Sequence, residues 1–228
     1  MSGVRERRVP VSASASVTAL HYSSDGDPRG LLVLAHGAGA DQRHRVLRTM
    51  ATGIASRGVD VLTFNFLYTE QRRKTPDRAP VLESTWTAVI DTIAEDVAPT
   101  TRLVIGGKSM GGRIASQVLA QLPGTPQWAR VSGLVLLGYP LHPPGKPDQL
   151  RTAHLPNLRV PVLLVQGTRD AFGTREEVVP VFQALPARVD MELIEQGDHS
   201  FAVPKSTGFS EADVLARVSN RVASWILG

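Results

Sequence analysis

The sequence predicts an α/β fold: one mostly parallel sheet of about seven strands with helices on both faces. Three observations predict it. Short runs such as Leu31 to Ala35 (LLVLA) and Gly133 to Leu137 (GLVLL) are apolar on both faces, as strands buried from both sides must be. They alternate with segments whose apolar residues recur at helical spacing. The chain of 228 residues suits one such core, and no repeat, low-complexity tract or linker divides it, so 1–228 reads as a single domain.

In chain order, Val17 to Tyr22 is an early strand and Leu31 to Ala35 the next. Gln42 to Ser56 then carries Val46, Leu47, Met50, Ala51 and Ile54 on one helical stripe. Val61 to Phe66 (VLTFNF) is a strand, followed by a helix whose stripe is Leu82, Trp86, Val89, Ile90 and Ile93. Arg102 to Ile105 is a strand, and Ile114, Ala115, Val118 and Leu119 mark the helix after it. Gly133 to Leu137 and Val162 to Gln166 are two further buried strands. Thr174 with Glu177 forms a capping box opening a helix that Pro180 should shorten or kink. Val189 to Ile194 is the last strand. Ser210 with Asp213 caps a final helix with the stripe Val214, Leu215, Val218, Val222, Trp225 and Ile226.

Composition narrows the function classes. A hydrophobic fraction of 42% with 20% charged residues is that of an ordinary soluble globular chain, not a disordered or coiled-coil one. No stretch approaches the ~18–20 unbroken apolar residues a bilayer span needs, so no membrane partner is expected. Cysteine is absent, which excludes disulfides, thiolate metal sites and a cysteine nucleophile. The opening MSGVRERR is not followed by the apolar segment of about 7–15 residues that a secretory signal requires, and a cytoplasmic location is the expectation. The net charge of +4 raises nucleic acid as a partner. The basic residues are dispersed, however, as Arg5, Arg7 and Arg8, then Arg43, Arg45 and Arg48, then Arg72, Arg73 and Lys74. Each group lies in a polar stretch, and no stacking motif interleaves with it, so no nucleic-acid partner is expected.

In such a sheet, ligands bind beyond the carboxyl ends of the strands. The loop after Arg102–Ile105 reads Gly106-Gly107-Lys108-Ser109-Met110-Gly111-Gly112 and contains Gly-x-Ser-x-Gly. Between a strand and an apolar helix, small residues two before and two after the serine permit a tight turn that projects its hydroxyl. A phosphate-binding reading of the same glycines fails, because its first glycine position holds Arg102. A dinucleotide fingerprint starting at Gly37 and Gly39 meets Gln42 where glycine is needed.

A serine hydroxyl needs a base. His199, in Gly197-Asp198-His199-Ser200-Phe201, follows the last strand. Asp170, in Gly167-Thr168-Arg169-Asp170, follows Val162–Gln166 and supplies the orienting carboxylate. Asp198 is badly placed to face the ring of its own neighbour. The order Ser109, Asp170, His199 puts nucleophile, orienter and base on loops after separate strands. His36-Gly37-Ala38-Gly39-Ala40 offers small residues whose amides can face a developing oxyanion, and the backbone N–H groups of Ala38 and Met110 are the expected donors. His36 is expected to brace that loop. The remaining histidines show no metal-ligand spacing, so neither metal nor cofactor is expected.

With these residues the chain resembles the α/β-hydrolase superfamily, whose motifs here span His36 to His199. More narrowly, Gly138-Tyr139-Pro140-Leu141-His142-Pro143-Pro144-Gly145-Lys146-Pro147, Arg151 and His154-Leu155 resemble the branch related to testis-expressed protein 30 and to subunit 3 of the NSL chromatin complex. Dienelactone hydrolases are similar in size but carry cysteine where this chain has Ser109. The resemblance implies a serine-hydrolase triad at Ser109, Asp170 and His199 and supplies no substrate. The triad with its oxyanion donors leads to the expectation of a serine hydrolase cleaving a carboxylic ester or thioester, and the short cover from Gly138 to Val160 to that of a small or soluble acyl group. Kinship with a chromatin-complex subunit implies an alternative, an interaction module with weak catalysis. Many superfamily members carry a large lid, whereas Gly138 to Val160 leaves room only for a stiff loop and one short helix. A minimal lid implies an open pocket, with Tyr139, His142, Arg151 and His154 as candidate substrate contacts.

Overall fold

The computed structural model describes residues 3–121 and 126–228. Its strands are β1 (Val4–Pro10), β2 (Ser16–Tyr22), β3 (Gly30–Ala35), β4 (Asp60–Phe64), β5 (Arg102–Lys108), β6 (Val131–Leu137), β7 (Val162–Gly167) and β8 (Val189–Ile194). They form one sheet in the order β1-β2-β4-β3-β5-β6-β7-β8. The pairings of β1 with β2 and of β2 with β4 are antiparallel; all others are parallel.

The mostly parallel sheet agrees with the sequence reading, and its strand number is a correction. The eighth strand is β1, which pairs along its whole length with β2, from Val4 opposite Tyr22 to Pro10 opposite Ser16. Its sequence VRERRVP hides only Val9, so hydrophobic alternation gives it no signal. Arginine and glutamate on an outermost strand discourage pairing with another chain. The central strands are the opposite case, and every residue of β3, β4 and β7 is buried.

Helices cover both faces, as expected. On one side α1 (Arg45–Ala55) buries Val46, Leu47, Met50, Ala51 and Ile54 beside the C-terminal helix, and both pack on β3, β4 and β6. On the other side lie α3 (Ala79–Asp96), α4 (Met110–Gln121) and α6 (Arg175–Gln183). Two one-turn helices, α2 (Leu67–Glu70) and α5 (Pro126–Ala129), are too short to leave a periodic signal. The capping boxes at Thr174 and Ser210 are formed, the latter opening α7 (Glu211–Leu227). Pro180 sits inside α6, which ends three residues later at Gln183.

Glycines decide how closely β5, the strand that leads into Ser109, can approach its neighbours. A Cβ on Gly106 would run into the Val135 carbonyl of β6. At Gly107 it would stand 2.5 Å from the Gly112 nitrogen and 2.8 Å from the Ala35 carbonyl oxygen. The start of α4 is thereby pulled against the ends of β3 and β5. Trp86 of α3 reinforces the contact, donating through Nε1 to the Gly111 carbonyl at 3.3 Å. Among the described residues, no helix is long and apolar enough to cross a membrane.

Candidate active site

Ser109 occupies the turn between β5 and α4 with φ of 51°, a left-handed conformation costly for a non-glycine residue. Two bonds hold it there. Its N–H donates to the Leu137 carbonyl of β6 at 2.9 Å, and its own carbonyl accepts from Arg113 N–H at 3.0 Å, starting α4. The strained turn aims Oγ away from the sheet, at the imidazole of His199.

Ser109 Oγ lies 2.8 Å from His199 Nε2, and His199 Nδ1 lies 2.7 Å from Asp170 Oδ2. A carboxylate only accepts, so Nδ1 carries the hydrogen and Nε2 presents a lone pair to the serine hydroxyl. Asp170 has no exposed surface. Its Oδ1 accepts from Phe172 N–H at 2.8 Å, and Gln166 Nε2 donates to Oδ2 at 3.0 Å. Gln166 is locked in turn, accepting from Tyr139 N–H at 2.7 Å and donating to the Gly173 carbonyl at 2.9 Å. The ring of Phe172 lies over the imidazole with centroids 4.2 Å apart. Each partner of His199 is therefore itself fixed.

The loop bearing His199 owes its shape to Asp198, the carboxylate set aside as an orienter. Asp198 Oδ1 accepts from Ser200 N–H at 2.8 Å and from Ala202 N–H at 2.9 Å, and Phe201 adopts a φ of 67°. Gly167, at the end of β7, admits this loop because a Cβ there would collide with the Gly197 and Asp198 carbonyls.

His36 braces the loop after β3, as expected. It is 1% exposed, donates from Nδ1 to the Gly37 carbonyl at 2.8 Å, and accepts at Nε2 from Phe66 N–H at 3.2 Å. Burial lowers its pKa and keeps the ring neutral, which that pair of bonds requires. Ala38 lines both cavities that meet at Ser109, and Met110 lines one of them as the first residue of α4. Among the described residues, neither amide donates to a protein acceptor.

The two cavities measure about 240 and 390 Å³ and share Ala38, Ser109 and His199. The smaller is walled by Val46, Leu47 and His44, the larger by Leu82, Phe172, Arg113 and Arg151. The loop from Gly138 to Val160 contains a single 3₁₀ turn, Leu155–Asn157, and is drawn into the core by Leu141, Leu155 and Leu158.

Of the four candidate substrate contacts in that loop, only Arg151 reaches a cavity beside Ser109. Tyr139 is 1% exposed, packs edge-on against Phe182 and donates its hydroxyl to the Arg151 carbonyl at 2.6 Å. His142 is buried; Nδ1 donates to the Pro143 carbonyl at 2.8 Å, and Nε2 lies 3.2 Å from Glu177 Oε1 in poor hydrogen-bond alignment. His154 places Nε2 2.7 Å from Ser116 Oγ of α4. These three residues hold the loop down, because a short proline-rich segment without regular structure must satisfy its polar groups with its own side chains.

Sequence reasoning gave no role to Lys108, Arg113, Gln166 or Phe172. Lys108 directly precedes Ser109, and its Nζ is buried beside Gly138 and the Phe201 ring. Its ammonium lies 5.3 Å from the Phe201 ring centroid and has no hydrogen-bond partner among the described residues. Burial pushes its pKa down to about 8, against the pull of Asp170 and Asp198. One signal was available: a lysine standing between the run Leu103–Gly107, which holds no polar side chain, and the turn. Among the described residues, no cluster of histidine and carboxylate groups suits a metal ion.

A family model described as an alpha/beta hydrolase domain matches residues 28–227. Solved structures share the fold at low identity. A dienelactone hydrolase from Anabaena variabilis superposes with a TM-score of 0.72 at 19% identity, over 99% of this chain and 97% of that one. Est1E from Butyrivibrio proteoclasticus gives 0.75 at 12% identity, over 97% and 98% of the two chains. An α/β serine hydrolase without lid from Xanthomonas campestris gives 0.72 at 15% identity, over 99% and 96%.

Proposed function

The chain belongs to the alpha/beta hydrolase domain family, and on that premise we propose that it is a serine hydrolase cleaving carboxylic esters or thioesters of small, soluble acyl groups. One observation carries this reading: the continuous chain from Ser109 Oγ to His199 Nε2 at 2.8 Å and from His199 Nδ1 to Asp170 Oδ2 at 2.7 Å.

The mechanism uses each group once in each direction. His199 Nε2 takes the hydroxyl proton as Ser109 Oγ attacks the acyl carbonyl. Asp170 holds the ring in the required tautomer and stabilises the imidazolium. The carbonyl oxygen becomes an oxyanion that accepts from the Ala38 and Met110 amides, each such donor being worth about 10²–10³ in turnover. Collapse expels the alcohol or thiol, which takes its proton from His199. A water, deprotonated by the same ring, then attacks the acyl–Ser109 ester; the carboxylic acid leaves and the serine is restored.

The low cover over Ser109 and the modest cavities beside it support small substrates over long-chain lipids. The segment from Gly138 to Pro147, with Arg151 and His154-Leu155, supports the narrower kinship with the branch of testis-expressed protein 30 and subunit 3 of the NSL complex. Purified protein should hydrolyse short 4-nitrophenyl esters, and Ser109→Ala should reduce kcat by roughly 10⁴-fold or more. Residual turnover in Ser109→Ala above about 1% of the wild type overturns the reading, since triad members act as a unit.

A further inference from the structure

The larger cavity beside Ser109 carries two guanidinium groups, Arg113 from the first turn of α4 and Arg151 from the Gly138–Val160 loop. They lie close enough that the charge of Arg151 lowers the pKa of Arg113, second only to burial. Arg113 donates to the neutral Gln117 Oε1 at 3.0 Å. Among the described residues, no carboxylate lies within ion-pair distance of either group.

The other charged and titratable groups around the cavity leave this surplus intact. Asp77 lines the same wall; its Oδ1 pairs with Arg73, which balances its charge, while its buried Oδ2 has no hydrogen-bond partner among the described residues. Glu83 of α3 acts on Arg113 only at longer range. His154, behind Arg113, is kept neutral at ordinary pH, its pKa pushed down to about 4 by burial and then by Arg113. Two like charges facing one partly enclosed space repel each other, and in a setting drier than bulk water that repulsion is large. A bidentate anion between them would remove it and satisfy both planar forks.

The backbone fixes where such an anion would sit. Arg113 follows Ser109 by one helical turn, and its N–H is bonded to the Ser109 carbonyl. Arg151 is pinned through both its N–H, donated to Leu141 at 2.8 Å, and its carbonyl, which accepts from Tyr139. Only its side chain is free to serve the cavity.

We propose that Arg113 and Arg151 form an anion subsite beside Ser109, and that the preferred substrates are esters or thioesters bearing a carboxylate a few bonds from the scissile carbonyl. This rests on the serine hydrolase reading above. The carboxylate can be carried on the acyl or on the alcohol side, and the test separates the two.

The acyl arm compares mono(4-nitrophenyl) succinate and glutarate with their methyl-capped diesters. The alcohol arm compares butanoyl glycolate with its methyl ester. In at least one arm, kcat/KM should favour the charged substrate by about tenfold or more, as charge-assisted hydrogen bonds do. Arg151→Gln should shrink that ratio at least tenfold, and Arg151→Glu should invert it. Arg113→Gln should act alike; because Arg113 is half-buried in α4, the Arg151 variants decide the outcome if it fails to fold. The ratio should also fall with added salt. Equal rates for charged and capped substrates in both arms, or a preference that survives in Arg151→Gln, overturn the subsite. Fluorophosphonate labelling of Ser109 in the same preparation separates that result from failure of the serine hydrolase reading: an unlabelled, inactive wild type overturns both.

Discussion

His199 Nδ1 lies 2.7 Å from Oδ2 of Asp170, a carboxylate with no exposed surface, held also by Gln166 and the Phe172 amide. The relationship is one of orientation. Rotation of the ring would break the Asp170 bond and lose the Phe172 contact together.

Asp170→Asn tests this directly. The amide would favour the wrong imidazole tautomer while keeping the shape of the site. We expect kcat for ester hydrolysis to fall by about 10³–10⁴, with the unfolding midpoint little changed. A loss below tenfold would show that Asp170 does not set the tautomer.

Gly107→Ala tests how the serine turn is packed. Its Cβ would meet backbone atoms of Gly112, Gly111 and Ala35 at 2.5 to 2.8 Å, and backbone cannot yield as a side chain can. Urea unfolding should show a loss of about 3 kcal/mol or more, or no soluble protein. Gly145→Ala is the control, with a φ of 70° but nothing within 4 Å of a new Cβ, and should cost only about 1–2 kcal/mol.

Lys108 makes stability depend on alkaline pH. Its folded pKa of about 8 lies below the ordinary 10.5, so the buried ammonium costs most below pH 8. Between about pH 8 and 10.5 the unfolded chain holds a proton the folded chain has released, and stability rises with pH. Lys108→Met removes this term. The variant should be the more stable at pH 7, by at most about 3 kcal/mol, and its advantage should shrink by pH 10. Unfolding both proteins at the two pH values cancels the tyrosines, which titrate in both. An advantage that does not change with pH would place the amine in water.

His154 gives the acid counterpart. With its folded pKa near 4 and an unfolded value near 6.5, the unfolded chain takes up the proton first. Its stabilising contribution is present above pH 6.5 and is lost as the pH falls toward 4. His154→Gln keeps a polar partner for Ser116 and should lose less thermal stability than the wild type between pH 7 and 5. Equal losses would refute the assignment.

Much of this site was legible because its motifs sit where the fold concentrates chemistry. Gly107, Ser109 and Gly111 lie between an apolar strand and an apolar helix, and a single sequence displays both. Asp170 follows β7, whose complete burial shows as an unbroken apolar run, and His199 follows β8, whose VDMELI alternates apolar with charged residues. The partners two bonds away were not legible. Gln166 stands next to last in β7 and looks like any polar terminator until its amide is seen between Asp170 and Gly173. Tyr139, His142 and His154 look like pocket residues because polar aromatics in a loop usually face solvent; here the loop folds inward on Leu141 and Leu155, and they become its internal bonds. Strand β1 escaped because its partner is a single neighbour and its side chains are charged.

The central claim is that Ser109, activated by His199, is the nucleophile. A fluorophosphonate probe followed by peptide mass mapping tests it most directly. The account predicts one phosphonyl adduct per chain, on Ser109, strongly slowed in His199→Ala and absent in Ser109→Ala. An active enzyme that gives no adduct, or an adduct on another residue, would contradict it.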